Sequence, residues 1–154
     1  MQLRPYQLKA IDDLRAAFRR CARAPLLVAP TGSGKTIILA AMALGATERG
    51  TRLLILAHRA ELIAQASAKL DAAGVLHGRI APGAPWMDLP IQVGSVQTVA
   101  RRLGSLPRFD LLALDEAHHA VAGSWAAVLD AQGGARVVGL TATPQRPRLR
   151  DRAG

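Results

Sequence analysis

Cysteine is nearly absent from this 154-residue chain: Cys21 stands alone, which excludes an internal disulfide and any metal site built on clustered thiolates. A reducing cytoplasm is the natural setting for such a chain. Aromatic side chains are few, namely Tyr6, Phe18, Trp86, Phe109 and Trp125. That is too sparse for a surface that grips single strands mainly by stacking bases on rings. Phe18 and Trp125 fall on apolar helical patterns and read as core, so Trp86, in a proline-rich stretch, is the ring to watch. No apolar run approaches the ~20 residues of a membrane span. The first residues, with Arg4, Pro5 and Gln7, lack a signal peptide's apolar core, so no membrane partner is expected. Acidic residues are scarce as well, 11 against 20 Lys and Arg, for a net charge of +9. An excess of this size attracts polyanions. Charge alone does not name a partner, because 17 of the 20 basic residues are arginine in an alanine-rich chain, a pattern that genomic base composition produces without selection for binding.

What the chain does contain is a regular alternation of helical and strand patterns. Its length suits one α/β domain able to bury roughly two-thirds of its unfolded surface. Leu8, Ile11, Leu14 and Phe18 recur at helical spacing and predict a helix over 6–22 that carries Cys21 as a small buried residue. Strands are expected at Leu26–Ala29, Arg52–Ala57, Val75–Ile80, Ile91–Gly94, Leu111–Asp115 and Arg136–Leu140. Helices are expected at Thr36–Arg49, stopped by Gly50, at Ala60–Ala73, closed by Gly74, and in short pieces at 96–103 and 124–131. Residues 81–90 form a proline-rich surface loop. The short, wholly apolar strands imply a mainly parallel sheet covered on both faces, with its ligand at the carboxyl ends of the strands.

Ala29-Pro30-Thr31-Gly32-Ser33-Gly34-Lys35-Thr36 follows the first strand and opens the second helix. The glycines let consecutive backbone N–H groups turn inward toward an anion, and the helix N-terminus adds its positive dipole. Lys35 then reaches the β- and γ-phosphates of a nucleoside triphosphate, and the Thr36 hydroxyl is placed to ligate Mg²⁺. Ala29 replaces the first glycine of the phosphate-loop pattern, the sole departure from it.

Leu111–Leu114 delivers a second pair of groups, Asp115 and Glu116, to the same edge of the sheet. At a triphosphate site the first carboxylate holds Mg²⁺ and the second orients and activates the attacking water. The plainer reading is that both cap a following helix. His118 and His119 are adjacent, and adjacent side chains diverge, so they do not make a metal site.

Asp115-Glu116-Ala117-His118 together with the loop at 29–36 resembles a superfamily 2 helicase or translocase, closest to the DEAH-type group that includes type III restriction helicase subunits and Rad25-like translocases. Further blocks follow in the family's order: Arg4-Pro5-Tyr6-Gln7, Ala57-His58-Arg59-Ala60-Glu61-Leu62, Gly94-Ser95-Val96-Gln97-Thr98 and Thr141-Ala142-Thr143-Pro144. The resemblance implies a three-layer RecA-like domain over 1–144 and a flexible basic tail over 145–154. It implies ATP and Mg²⁺ as cofactors, with Gln7 selecting adenine and Tyr6 packing on its ring. Arg59, Ser95, Gln97 and Thr98 would contact a nucleic-acid backbone, DNA rather than RNA. Thr141 and Thr143 would couple hydrolysis to grip through His118. Motors of this family close their nucleotide against a second RecA-like lobe, supplied in cis or in trans, that brings the arginine fingers. Such a finger is worth ~10³–10⁵ in turnover, so the 154 residues alone are expected to hydrolyse ATP slowly or not at all. The competing reading is a stand-alone nucleotide- or nucleic-acid-binding module that regulates a partner without hydrolysis.

Overall fold

All five residues of strand β2 (Leu53–Ala57) are buried, and they divide the core in two. Leu53, Ile55 and Ala57 pack among residues of α1 (Pro5–Arg19), α2 (Lys35–Arg49) and α3 (Ala60–Ala72). Leu54 and Leu56, on the opposite face, join Val96 and Val99 of α4 (Val96–Arg101) and Trp125 and Val128 of α5 (Gly123–Ala131). Alternate residues thus enter different cores, which is why the strand must be apolar throughout. Each Leu or Ile buried this way contributes roughly 2 kcal/mol.

The structure is a computed structural model that describes residues 2–22, 24–28, 34–116 and 123–142. In it β1 (Leu26–Val28), β2, β3 (Gly78–Ile80), β4 (Ile91–Ser95), β5 (Leu111–Asp115) and β6 (Arg136–Thr141) form one sheet. The six strands lie in the order β1-β6-β5-β2-β4-β3, and every pairing is parallel. This is the three-layer α/β arrangement that the alternation of patterns implies. Among the described residues no helix is long and apolar enough to cross a membrane.

Two local expectations are corrected. The first helix ends at Arg19 rather than at 22, and Cys21 lies beyond it, exposed, with φ 62°. The cause is a Schellman turn, in which Cys21 N–H donates to Phe18 O at 3.0 Å and Ala22 N–H to Ala17 O at 3.0 Å. That turn needs a left-handed residue just past the helix, and cysteine occupies the place glycine usually takes. The third strand is shorter than Val75–Ile80, because Val75 N–H is committed to Leu70 O at the end of α3. Gly50 and Gly74 do end α2 and α3, with φ 67° and 72°.

For function the order of strands matters most. β1, β6 and β5 are neighbours, so the carboxyl ends of these three strands lie within two strand spacings, roughly 10 Å.

Candidate nucleotide site

Lys35 opens α2 and Glu116 follows β5, 81 residues later, yet Lys35 Nζ donates to Glu116 Oε1 at 2.6 Å. Both side chains are largely shielded, at 15% and 22% exposure. Glu116 reaches this position because its backbone turns left-handed, φ 56°, directly after the strand. A non-glycine residue there is strained by about 1 kcal/mol or more.

Asp115 is the last residue of β5 and is buried at 8% exposure. Its Oδ1 has no hydrogen-bond partner among the described residues. Burial pushes its carboxyl above the usual range; Lys35 pulls it back, the Glu116 charge raises it further, and a hydrogen bond with the Glu116 backbone lowers it. A buried carboxylate oxygen without a partner costs energy that a cation would recover. Thr36 sits in the first turn of α2, beside Lys35.

Gln7 joins the same edge from α1. It is buried at 2% exposure, and its Oε1 accepts Arg4 N–H at 2.9 Å, closing a capping box at the helix start. Its Nε2 lies so near Gly34 that a Cβ built there would stand 2.5 Å away. Gly34 is therefore needed for two reasons, its left-handed φ of 76° and this contact. Sequence reasoning had placed Gln7 against adenine and missed its seat against the phosphate-loop glycine. Tyr6 beside it is exposed.

The remaining expected site residues fall in three groups. Thr141 ends β6, fully buried, in register with Val28 of β1 and one residue past the partner of Asp115. Arg59 and Ser95 stand at neighbouring strand ends, since β2 and β4 pair through Ala57 and Ser95. Arg59 and Gln97 are exposed, and Ser95 Oγ donates to Gln97 Oε1 at 2.9 Å. Thr98, expected with them, is instead buried on the core side of α4. Pro30, Thr31, Gly32, Ser33, His118, Thr143 and the basic tail lie outside the described residues.

Comparison with known proteins accords with this geometry. The family model of the type III restriction enzyme res subunit matches residues 1–146. A putative ATP-dependent helicase of Saccharomyces cerevisiae, IRC3, is 33% identical over 94% of this chain and 24% of its own length. The UvsW helicase of bacteriophage T4 superposes with a TM-score of 0.73 at 22% identity, covering 93% of this chain and 53% of that one. The Sulfolobus solfataricus SWI2/SNF2 ATPase core, solved with double-stranded DNA, superposes at 0.71 and 19% identity over 94% of this chain and 32% of that one. The chain spans about a quarter of the length of the curated relatives it matches. With a phosphate-loop lysine and a strand-end acidic pair meeting on one edge of a parallel sheet, the chain belongs to the type III restriction enzyme res subunit family and has the RecA-like fold of superfamily 2 helicases.

Proposed function

We propose that this chain is the N-terminal motor lobe of an ATP-dependent DNA helicase or translocase of the DEAH type, working in the cytoplasm. The contact between Lys35 and Glu116 carries the reading, because it joins a phosphate-binding cation to the strand-end carboxylate suited to activate water.

In this reading the backbone of Pro30–Gly34 cradles the phosphates, Lys35 exchanges Glu116 for the β- and γ-oxygens, and Glu116 is thereby released toward the attacking water. The orphaned Oδ1 of Asp115 fits Mg²⁺, held with the Thr36 hydroxyl; the ion supplies charge neutralisation along the transferring phosphoryl group. Gln7 and the exposed Tyr6 form the adenine side of the site. His118, Thr141 and Thr143 link it to the surface formed by Arg59, Ser95 and Gln97, which suits a phosphate backbone. Thr98 supports that surface from below. The folded unit is 1–144, followed by a basic tail, and a second RecA-like lobe in cis or trans completes the site. DNA is favoured over RNA because one fold neighbour is a complex with double-stranded DNA and another with a DNA substrate mimic.

The test is ATP hydrolysis by the 154-residue chain with and without single- and double-stranded DNA. Turnover is expected to be slow and little stimulated, and to become DNA-dependent when a second lobe is supplied. Brisk hydrolysis by the chain alone, abolished by Glu116→Gln, would contradict the half-site; no turnover even with the second lobe would contradict the motor reading.

A further inference from the structure

A cavity among the described residues stands at the opposite ends of the strands from Lys35. It lies at the amino-terminal edge of the sheet, between α1, α2 and the starts of β5 and β6, and measures about 440 Å³. That volume suits a small organic ligand. Its floor is apolar, formed by Leu14, Phe18 and Met42 with Gly45. Arg15 and Arg49 and, from the start of β6, Arg136 surround it, and Arg19 extends the basic rim into an adjoining recess.

Three features point to an anion with an apolar body. First, positive charge is in excess: Arg15 has a partner at 3.5 Å, the exposed Asp12, whereas Arg19, Arg49 and Arg136 form no ion pair among the described residues. Asp110, whose Oδ2 accepts the Arg52 backbone N–H at 2.8 Å, brings one negative charge to the lining against the three arginines Arg15, Arg49 and Arg136. Second, the Arg136 guanidinium lies over the Phe18 ring, 5.5 Å from its centroid, so an apolar ring and a fork of donors line the same recess. Third, Gly45 stands inside the unbroken helix α2 with no packing reason for a glycine. A Cβ there would meet nothing within 4 Å, and its φ is not left-handed. Glycine is a poor helix residue, second only to proline, and here its missing side chain keeps the cavity open against the helix backbone.

We infer that this cavity is a second ligand site, which takes a small organic phosphate of nucleoside monophosphate size, its body on the apolar floor of Leu14, Met42 and Gly45 and its phosphate among Arg15, Arg49 and Arg136. A nucleic-acid backbone fits less well, because a recessed apolar floor offers nothing to a chain of solvated phosphates. The site stands at the opposite ends of the strands from Lys35, so it does not depend on the ATPase reading.

The experiment is a fluorescence anisotropy titration of methylanthraniloyl-GMP without Mg²⁺, on the whole chain and four variants. Wild type and Lys35→Ala are expected to bind equally. Gly45→Met, which fills the cavity while favouring the helix, and Arg49→Glu are each expected to weaken binding about tenfold or more. Gly45→Ala tests the helix effect alone and is expected to raise the melting temperature with a smaller loss of binding. Inorganic pyrophosphate should displace the probe only at much higher concentration than unlabelled GMP. Loss of binding in Lys35→Ala, or unchanged binding in Gly45→Met, overturns the proposal. So does displacement by a short single-stranded oligonucleotide at lower concentration than GMP, which would make the rim a strand contact.

Discussion

Lys35 Nζ and Glu116 Oε1 stand 2.6 Å apart, so the cation that we propose binds phosphate is held by the carboxylate that we propose activates water. Binding a triphosphate must therefore break an ion pair that is only 15% and 22% exposed before it makes new contacts. Glu116→Gln keeps the shape and removes the competing charge. ATP affinity is expected to rise several-fold, on the order of 1 kcal/mol, in a direct titration. A fall in affinity would show that Glu116 helps to hold the nucleotide instead.

Asp115 links the site to stability. Its carboxyl is raised mainly by burial, so the folded state holds the proton more tightly than the unfolded one. Below the ordinary aspartate value of 3.8 both states are protonated and this group costs nothing. As pH rises past that value the unfolded chain releases its proton first, and the folded state loses stability until Asp115 itself ionises. Asp115→Asn is therefore expected to be more stable than wild type at pH 7 by about 1 kcal/mol, with the gap closing toward pH 3.8. Urea midpoints of both proteins across this range measure it, and a gap that widens in acid would contradict it.

The seat of Gln7 on Gly34 predicts a coupled pair. Gly34→Ala adds both left-handed strain and a clash, for a loss of about 2 kcal/mol. Gln7→Ala removes the cap on Arg4 N–H and costs about 1 kcal/mol. The double variant should lose less than the sum, because the clash disappears with the amide. Strict additivity in chemical denaturation would mean that the two residues do not touch.

Cys21 occupies a left-handed position with φ 62° in the turn that ends α1. Cys21→Gly is expected to stabilise the chain by about 1 kcal/mol, raising the melting temperature by roughly 2–4 °C. An unchanged or lower melting temperature would contradict the strained turn.

Much of this was legible before the fold was seen. Leu53–Ala57 reads as a strand buried on both faces because every residue is apolar, and Gly50 and Gly74 mark helix ends because those ends need positive φ. Strand β1, helix α2 and strand β5, which flank the phosphate-loop pattern and carry Asp115, stand where the local patterns put them, while residues 29–33 of that pattern lie outside the described residues. What escaped depends on contacts between distant residues. Gln7 packs on Gly34, and Arg52 ties three separate segments by bonding Asp110 Oδ2 through its backbone and Asp88 through its guanidinium while lying over Phe109. Thr98 was assigned to the nucleic-acid surface by the resemblance alone, and a six-residue helix has too little periodicity to reveal that it is buried. Cys21 was misplaced because the Schellman turn that ends α1 lacks its usual glycine.

The most direct test of the nucleotide site is a calorimetric titration of ATP into wild type, Lys35→Ala and Asp115→Asn, each with and without Mg²⁺. The expected result is that wild type binds more tightly when Mg²⁺ is present, that Asp115→Asn loses this Mg²⁺ enhancement, and that Lys35→Ala loses about tenfold or more in both conditions. ATP binding that is indifferent to Lys35 and to Mg²⁺ would contradict it.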